Sequence, residues 1–492
     1  MAQGGDSAEV IAAPAGRGWL SPQMLTSIAR VQGVLMGLIL VATILQQFLG
    51  FTWLARPAET ATVIFLITVA FVGSRTAKVF LIIAVACIPA ALLWVDQPWT
   101  LLEQGIARAQ FFLAFFTAIL SLHEPAFNSP MIQDAGRFLA RQPPARRTLT
   151  MLLGGHMFGL MLNLGSMVLL GSLTMSRKAG QEPVKMTEFE VRQSAVASLR
   201  GFNTTAMWSP LSLTPLVVMA LMPGTDSHIL IPVGLACAMV TITIAYFVSR
   251  YESARLGHPQ GTYVPLSSPI KMIGPVPVAL LRIVLLVGCM FAAILAVSRL
   301  TGFSISVTVT LVIPIFALGW MLVLAKGNMR KWIGGHVANL VLRVWPAQSP
   351  EVTLMAAAGF ASPVIAAVIP SAQILALLKA WHVPPAIVAL MGFVCVLGGG
   401  YLGVNPLIAI SVVIGTVSDP ASLGLNINYF AIVLIVAWAF TAQLSPFTAS
   451  ALLCARLFNT NSFKLAFEWQ RLYALVAVSI ALVATLIAGW LI

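Results

Sequence analysis

Charge is scarce in this chain: 9% of its 492 residues are Asp, Glu, Lys or Arg, 59% are hydrophobic, and the mean hydropathy is +0.94. A soluble globule carries about 25% charged residues, so the composition excludes one and implies a polytopic membrane protein. Acidic residues are the fewest, 15 against 28 basic ones. No span pairs two carboxylates, and neither HExxH nor GxSxG occurs, which leaves a membrane-embedded enzyme without an acid–base or metal set. The five cysteines, Cys87, Cys237, Cys289, Cys395 and Cys454, stand singly in apolar stretches with no CxxC, and imply neither a disulfide nor a metal. Residues 1–23 lack an apolar core followed by a small-residue cleavage site and read as a cytoplasmic tail, reaching the first span near residue 30. The net charge of +13 would suggest nucleic acid in a soluble protein. Here the asymmetry that orients membrane helices accounts for it, and no nucleic-acid partner is implied.

Apolar stretches of about 20 residues predict eleven spans near 31–52, 58–73, 78–96, 108–133, 201–224, 228–248, 274–298, 305–324, 351–379, 427–456 and 470–491. Two further stretches, 148–176 and 386–418, are long and carry a central Gly/Asn/Pro break, which predicts re-entrant helical hairpins with arms of roughly a dozen residues. Charge supports that choice. With the N-terminus inside and both stretches as hairpins, Arg56, Arg108, Arg299 and Lys379 fall outside, Arg282 lies in a span, and the other 23 of the 28 basic residues are inside. A single crossing at 148–176 would move the basic 177–200 segment outside, against the positive-inside rule.

Polar breaks recur in both halves: Asn163-Leu-Gly-Ser166 with Ser209-Pro210, and Asn405-Pro406 with Ser445-Pro446. In lipid, a Pro or Gly break flanked by Ser, Thr and Asn persists where it lines a cavity or holds a ligand. Phe127-Asn-Ser-Pro130 matches Phe360-Ala-Ser-Pro363, Pro143-Pro-Ala145 matches Pro384-Pro-Ala386, and Ser209-Pro210 matches Ser445-Pro446, at offsets of 233, 241 and 236. Helix, hairpin, broken helix and helix thus recur with opposite orientation, which reads as an inverted-topology repeat.

Eleven spans with a hairpin after the fourth and ninth, each followed by a broken helix, resemble the ion transporter superfamily in the architecture of its divalent-anion:sodium symporters. The tips read Leu162-Asn-Leu-Gly-Ser166 and Gly403-Val-Asn-Pro406, the breaks Trp208-Ser-Pro-Leu-Ser212 and Leu444-Ser-Pro-Phe-Thr448. The resemblance implies one Na+ site from Asn163, Gly165, Ser166 and Ser209, a second from Asn405, Ser445 and Thr448, and a substrate between them that also meets Pro210, Ser212, Pro406 and Pro446. Thr214 and Ser450 stand behind these. It further implies an elevator mechanism and a homodimer.

By that scheme residues 1–30 are the tail, 31–147 and 249–385 scaffold, and 148–248 and 386–492 the two repeats of a transport domain. Broken helices also carry the physics for such sites: their free N–H groups favour anions, their free carbonyls small hard cations. The bland alternative is that each Ser or Thr bonds its own helix and each Pro only kinks it.

Glu124, beside His123, is the candidate acid for proton coupling, or else interfacial. His156 reads as a packing residue. Arg282 either snorkels or binds an anion, and Arg200 reads as a lure for an anion at the mouth of the first broken helix. Asn203, Thr204 and Thr205 read as capping, and 182–200 as an amphipathic surface helix. The expectation is a non-enzyme of the bacterial-type inner membrane. It carries a small, anionic solute with Na+ or H+ and has no cofactor beyond a coupling ion. A flippase for a lipid-linked or amphipathic substrate is the alternative.

Overall fold

The computed structural model describes residues 21–140, 144–175, 187–255, 276–325 and 327–492. The tail as far as residue 20, Pro143, residues 182–186 of the expected surface helix and most of the basic 250–271 loop lie outside the described residues. Among those described, every regular element is helical. Ten helices among the described residues are long and apolar enough to cross a membrane. The chain is an all-α polytopic membrane protein.

Local chemistry sets many of the helix starts. Ser21, Ser74, Ser304 and Asn328 each accept, on the side chain, an N–H that has no partner in the first turn. Thr187 and Glu190 form a reciprocal capping box. That cap starts a helix, Glu188–Thr204, whose second half from Ser194 onward is buried. The expected surface helix is therefore the first arm of the first broken helix, completed by Leu213–Leu221 after an interruption.

Two other predicted spans are interrupted. The stretch at 108–133 is a helix Pro98–Leu120 followed by short helices His123–Asn128 and Pro130–Ala140, with prolines opening new turns. The stretch at 351–379 divides at Pro370 into Ser349–Val368 and Ser371–Ala380.

Both interrupted stretches are helical hairpins. The first pairs Pro144–Leu162 with Gly165–Met175, and the second pairs Pro385–Tyr401 with Pro406–Thr416. Their second arms have 11 residues, about 16 Å of helix, but their first arms have 19 and 17, longer than the dozen expected.

The chain divides into two compact units, residues 1–125 with 293–368, and 126–292 with 369–492. In the first, Pro98–Leu120 crosses Ser349–Val368 at small residues: a Cβ on Gly105 would lie 2.7 Å from the Phe360 carbonyl oxygen, and one on Gly359 2.6 Å from the Phe112 ring. Close approach of this kind is how helices associate where lipid removes the hydrophobic drive.

The second unit holds both hairpins, both broken helices and the helices Ser227–Arg255 and Arg471–Leu491. The first hairpin meets the first broken helix at glycines. A Cβ on Gly155 would lie 2.7 Å from the Ser198 carbonyl oxygen, and one on Gly201 would overlap that of Leu152. The second hairpin and second broken helix, Ile427–Leu444 with Ala449–Leu457, meet where a Cβ on Gly400 would overlap the Thr441 methyl. One buried core joins Met167, Leu199, Phe202, Cys454, Phe458 and Leu465 from a hairpin, both broken helices and the π-helical turn Lys464–Trp469.

Candidate functional site

Proline cannot donate an N–H, and it drives the preceding residue out of the helical region. Ser445 and Asn405 accordingly adopt extended backbone, with ψ of 135° and 133°. Each then turns its side chain onto the residue after the proline. Ser209 Oγ accepts from Leu211 N at 3.1 Å, Ser445 Oγ from Phe447 N at 3.2 Å, and Asn405 Oδ1 from Leu407 N at 2.9 Å. The three Xaa-Pro breaks are one device used three times. Pro446 also leaves the Ala442 carbonyl without its helical donor, and Thr448 Oγ1 at 3.1 Å and Ser450 Oγ at 2.9 Å donate to it instead.

Both hairpin tips turn through left-handed backbone, at Asn163 with φ +50° and at Gly403 with φ +84°. Asn and Gly are the residues that tolerate this. The Asn163 carbonyl accepts from Ser166 N at 3.0 Å and Ser166 Oγ at 2.8 Å. Ser166, Ser209, Pro210, Thr214, Pro406, Ser445, Pro446 and Ser450 are buried, while Asn163, Gly165, Ser212, Asn405 and Thr448 are partly exposed.

Each tip or its arm is bonded to the break of its own half. Ser445 Oγ donates to the Gly400 carbonyl at 2.7 Å. In the first half Trp208 Nε1 donates to His156 Nε2 at 3.3 Å, and His156 Nδ1 lies 2.8 Å from Thr204 Oγ1, whose own proton goes to the Gly201 carbonyl at 2.7 Å. Thr204 must therefore accept, which fixes His156 as the neutral Nδ1–H tautomer. The packing role expected of His156 is thus a specific one: it holds Trp208. The halves meet at Asn203, whose Nδ2 donates to the Leu199 carbonyl at 2.9 Å and to Ser450 Oγ at 3.4 Å, so Asn203 links rather than only caps.

Arg200 is not at a mouth. It is wholly buried, with Nε donating to Gln470 Oε1 at 3.1 Å, Nη1 to Ser249 Oγ at 3.3 Å, and its guanidinium 4.0 Å above the centre of the Tyr473 ring. Gln443, Gln470 and Tyr473 were not singled out from the sequence. An amide in the apolar run 427–444, two residues before Ser445-Pro446, was the available signal.

Glu124 belongs to the first unit, where it is buried. Its Oε1 is 2.6 Å from His336 Nδ1, and Asn339 Nδ2 donates to both of its oxygens at 3.2 and 3.1 Å. Arg282 is exposed along Val276–Thr301.

Among the described residues no group of three or more His, Cys, Asp or Glu side chains is placed to hold a metal ion. The breaks offer neutral hydroxyl, amide and carbonyl oxygens. The hydroxyl protons of Ser166, Ser445 and Thr448 are committed to backbone carbonyls, so a lone pair of each remains for a hard monovalent cation.

No protein-family model and no curated protein matches the sequence. The fold is similar to that of the YdaH transporter of Alcanivorax borkumensis, whose crystal structure has an unusual topology: the TM-score is 0.52 at 15% identity, over 84% of this chain and 98% of that one. MtrF of Neisseria gonorrhoeae, from a class of antimetabolite efflux pumps, aligns at a TM-score of 0.46 and 14% identity, over 86% of this chain and 97% of that one. At 15% identity the likeness to the YdaH transporter is one of fold.

Proposed function

We propose that this protein is a secondary active transporter that moves a small anionic solute across a bacterial-type inner membrane, coupled to Na+ or H+. The observation that carries the reading is that two hairpins and two Ser-Pro broken helices lie in one compact unit, each break bonded to its own hairpin and the breaks bonded to each other through Asn203 and Ser450. Half-helix ends arranged this way bring N–H dipoles to an anion and carbonyls to a cation. Such a unit suits elevator movement, with the two hairpins, helices 201–248 and 427–491 travelling together as an inverted repeat and the remaining spans forming a dimeric scaffold. The N-terminus and position 340 are cytoplasmic in this scheme.

Na+ fits the donors of Asn163, Gly165, Ser166 and Ser209, and of Asn405, Ser445 and Thr448. When bound it would supply positive charge beside the substrate. Ser212, Pro210, Pro406 and Pro446 complete the substrate's surroundings, and Glu124 is the proton-coupling candidate.

Asn163→Ala and Asn405→Ala each remove an oxygen that this reading assigns to the ion. In proteoliposomes both are expected to lose substrate uptake and Na+-dependent thermal stabilisation together, because ion and substrate affinities are linked. Normal, ion-responsive uptake by both variants overturns the site.

One observation favours the flippase reading: Phe447, Phe463 and Phe467, each about half exposed, and Tyr401 form a row of rings with centroids 5.4, 6.2 and 5.8 Å apart beside the second tip. Lipid scrambling without solute counterflow would select it.

A further inference from the structure

The cluster around Arg200 has an imbalance that the transport reading does not use. Arg200 Nη2 has no hydrogen-bond partner, and neither does Nε2 of Gln443, which is equally buried. The other polar groups of the cluster are bonded to one another. Gln443 Oε1 accepts from the Tyr473 hydroxyl at 2.7 Å, and the Gln443 carbonyl accepts from Gln470 Nε2 at 2.7 Å. Gln470 Oε1 and Ser249 Oγ already accept from Arg200. Gln470 and Tyr473 thus touch both residues that carry the open groups.

Two features define what those groups want. First, both are donors. A water molecule could accept from them but would bring no charge. Second, the charge does not close. Glu252, the carboxylate whose field reaches Arg200, is bonded to Arg192 at 2.6 Å, and Arg192 also donates to the Trp469 carbonyl at 2.9 Å. That pair is neutral, which leaves the positive charge of Arg200 without a carboxylate partner at a fully buried position, where an unpaired charge is costly. Turning the Gln443 amide over leaves that charge uncompensated, since the amide is neutral in either orientation, and takes the acceptor from the Tyr473 hydroxyl proton.

We propose that Arg200 Nη2 and Gln443 Nε2 form a site for a small monovalent anion of the halide class. The site lies where the first arms of the two broken helices are joined through Gln470 and Tyr473. Occupied, it neutralises Arg200 and ties Glu188–Thr204 to the end of Ile427–Leu444. The cluster is separate from the tip and break residues proposed for cation and substrate, so it stands or falls independently of the transport reading.

The test uses the full-length protein in nanodiscs at constant Na+, with chloride or bromide exchanged for gluconate. Halide is expected to raise the melting temperature saturably, by on the order of 2 °C. Gln443→Glu places a fixed carboxylate beside the guanidinium. That variant is expected to melt in gluconate at least as high as the wild type does and to lose the halide response. An identical wild-type Tm in chloride and gluconate overturns the proposal, as does a full halide shift retained by Gln443→Glu. If that variant does not fold, bromide anomalous scattering decides: a peak within hydrogen-bond reach of Arg200 Nη2 is expected, and its absence at saturating bromide refutes the site.

Discussion

At the spacing of 236 residues that relates Ser209-Pro210 to Ser445-Pro446, Met207, Gly234 and Cys237 of the first half correspond to Gln443, Gln470 and Tyr473 of the second. The contacts correspond as well. A Cβ on Gly234 would overlap the Met207 carbonyl oxygen, while Gln470 Nε2 donates to the Gln443 carbonyl. One half meets this carbonyl, just before the break, by bringing backbone against backbone; the other meets it with a side-chain amide and builds a polar cluster there. The two positions share a contact but not its chemistry, and the polar cluster of the second half takes in a buried cation, Arg200, from the first.

Gln470→Ala should break the comparison most severely. It removes hydrogen bonds to Arg200 Nε and to the Gln443 carbonyl, both buried, at a cost of about 3–5 kcal/mol. Loss of the folded peak in fluorescence-detected size exclusion is the measurement. Gly234→Ala, its counterpart, should cost about 2–3 kcal/mol through overpacking. No side-chain substitution at Met207 should rescue it, since the obstacle is a carbonyl.

Gly400→Ala should cost about 1–3 kcal/mol, but here the obstacle is the Thr441 methyl. Thr441→Ser should therefore restore much of the Tm in a double-mutant cycle. If it restores nothing, the second joint is as rigid as the first. Ser445→Ala loses bonds to both Gly400 O and Phe447 N, whereas Ser209→Ala loses the bond to Leu211 N. The first should cost about 2 kcal/mol and the second about 1, read as a larger Tm drop for the Ser445 variant.

The smallest effect is expected at the exposed pair Glu188–Lys464, 2.6 Å apart, which joins the two halves at the surface. The Lys464 ammonium holds the Glu188 carboxyl below its ordinary value of 4.5, and the Glu188 carboxylate raises Lys464 in return. A depressed carboxyl contributes stability that is present above its unfolded value and lost as pH falls through the folded one. The small Tm difference between wild type and Lys464→Ala should therefore be present at pH 7 and vanish toward pH 3, and salt should shrink it.

Proline made the breaks legible. Ser209-Pro210, Asn405-Pro406 and Ser445-Pro446 interrupt apolar runs, and no helix-period pattern hides them. The second hairpin is legible for the same reason, and the first through its Asn163-Leu-Gly-Ser166 break and the basic residues on both sides of it. Pro370, Pro125 and Pro130 carried the same kind of signal, but within stretches that hydropathy alone reads as continuous. The segment 182–200 reads as a surface helix because Glu188, Glu190, Arg192 and Arg200 look like a solvated face. What buries Arg200 is Gln470 and Tyr473, some 270 residues later in the chain, and local pattern does not register partners that distant. Glu124 is a similar case, with His336 and Asn339 more than 200 residues away.

The Xaa-Pro device has a consequence for exchange with solvent protons. At Ser209-Pro210-Leu211, Asn405-Pro406-Leu407 and Ser445-Pro446-Phe447 the middle residue has no amide hydrogen, and the next amide is given to the preceding side chain. An irregular backbone is ordinarily where amide hydrogens wash out first. Here the amide that follows each proline is paired, so Leu211, Leu407 and Phe447 are expected to take up deuterium later than the other amides at these interruptions.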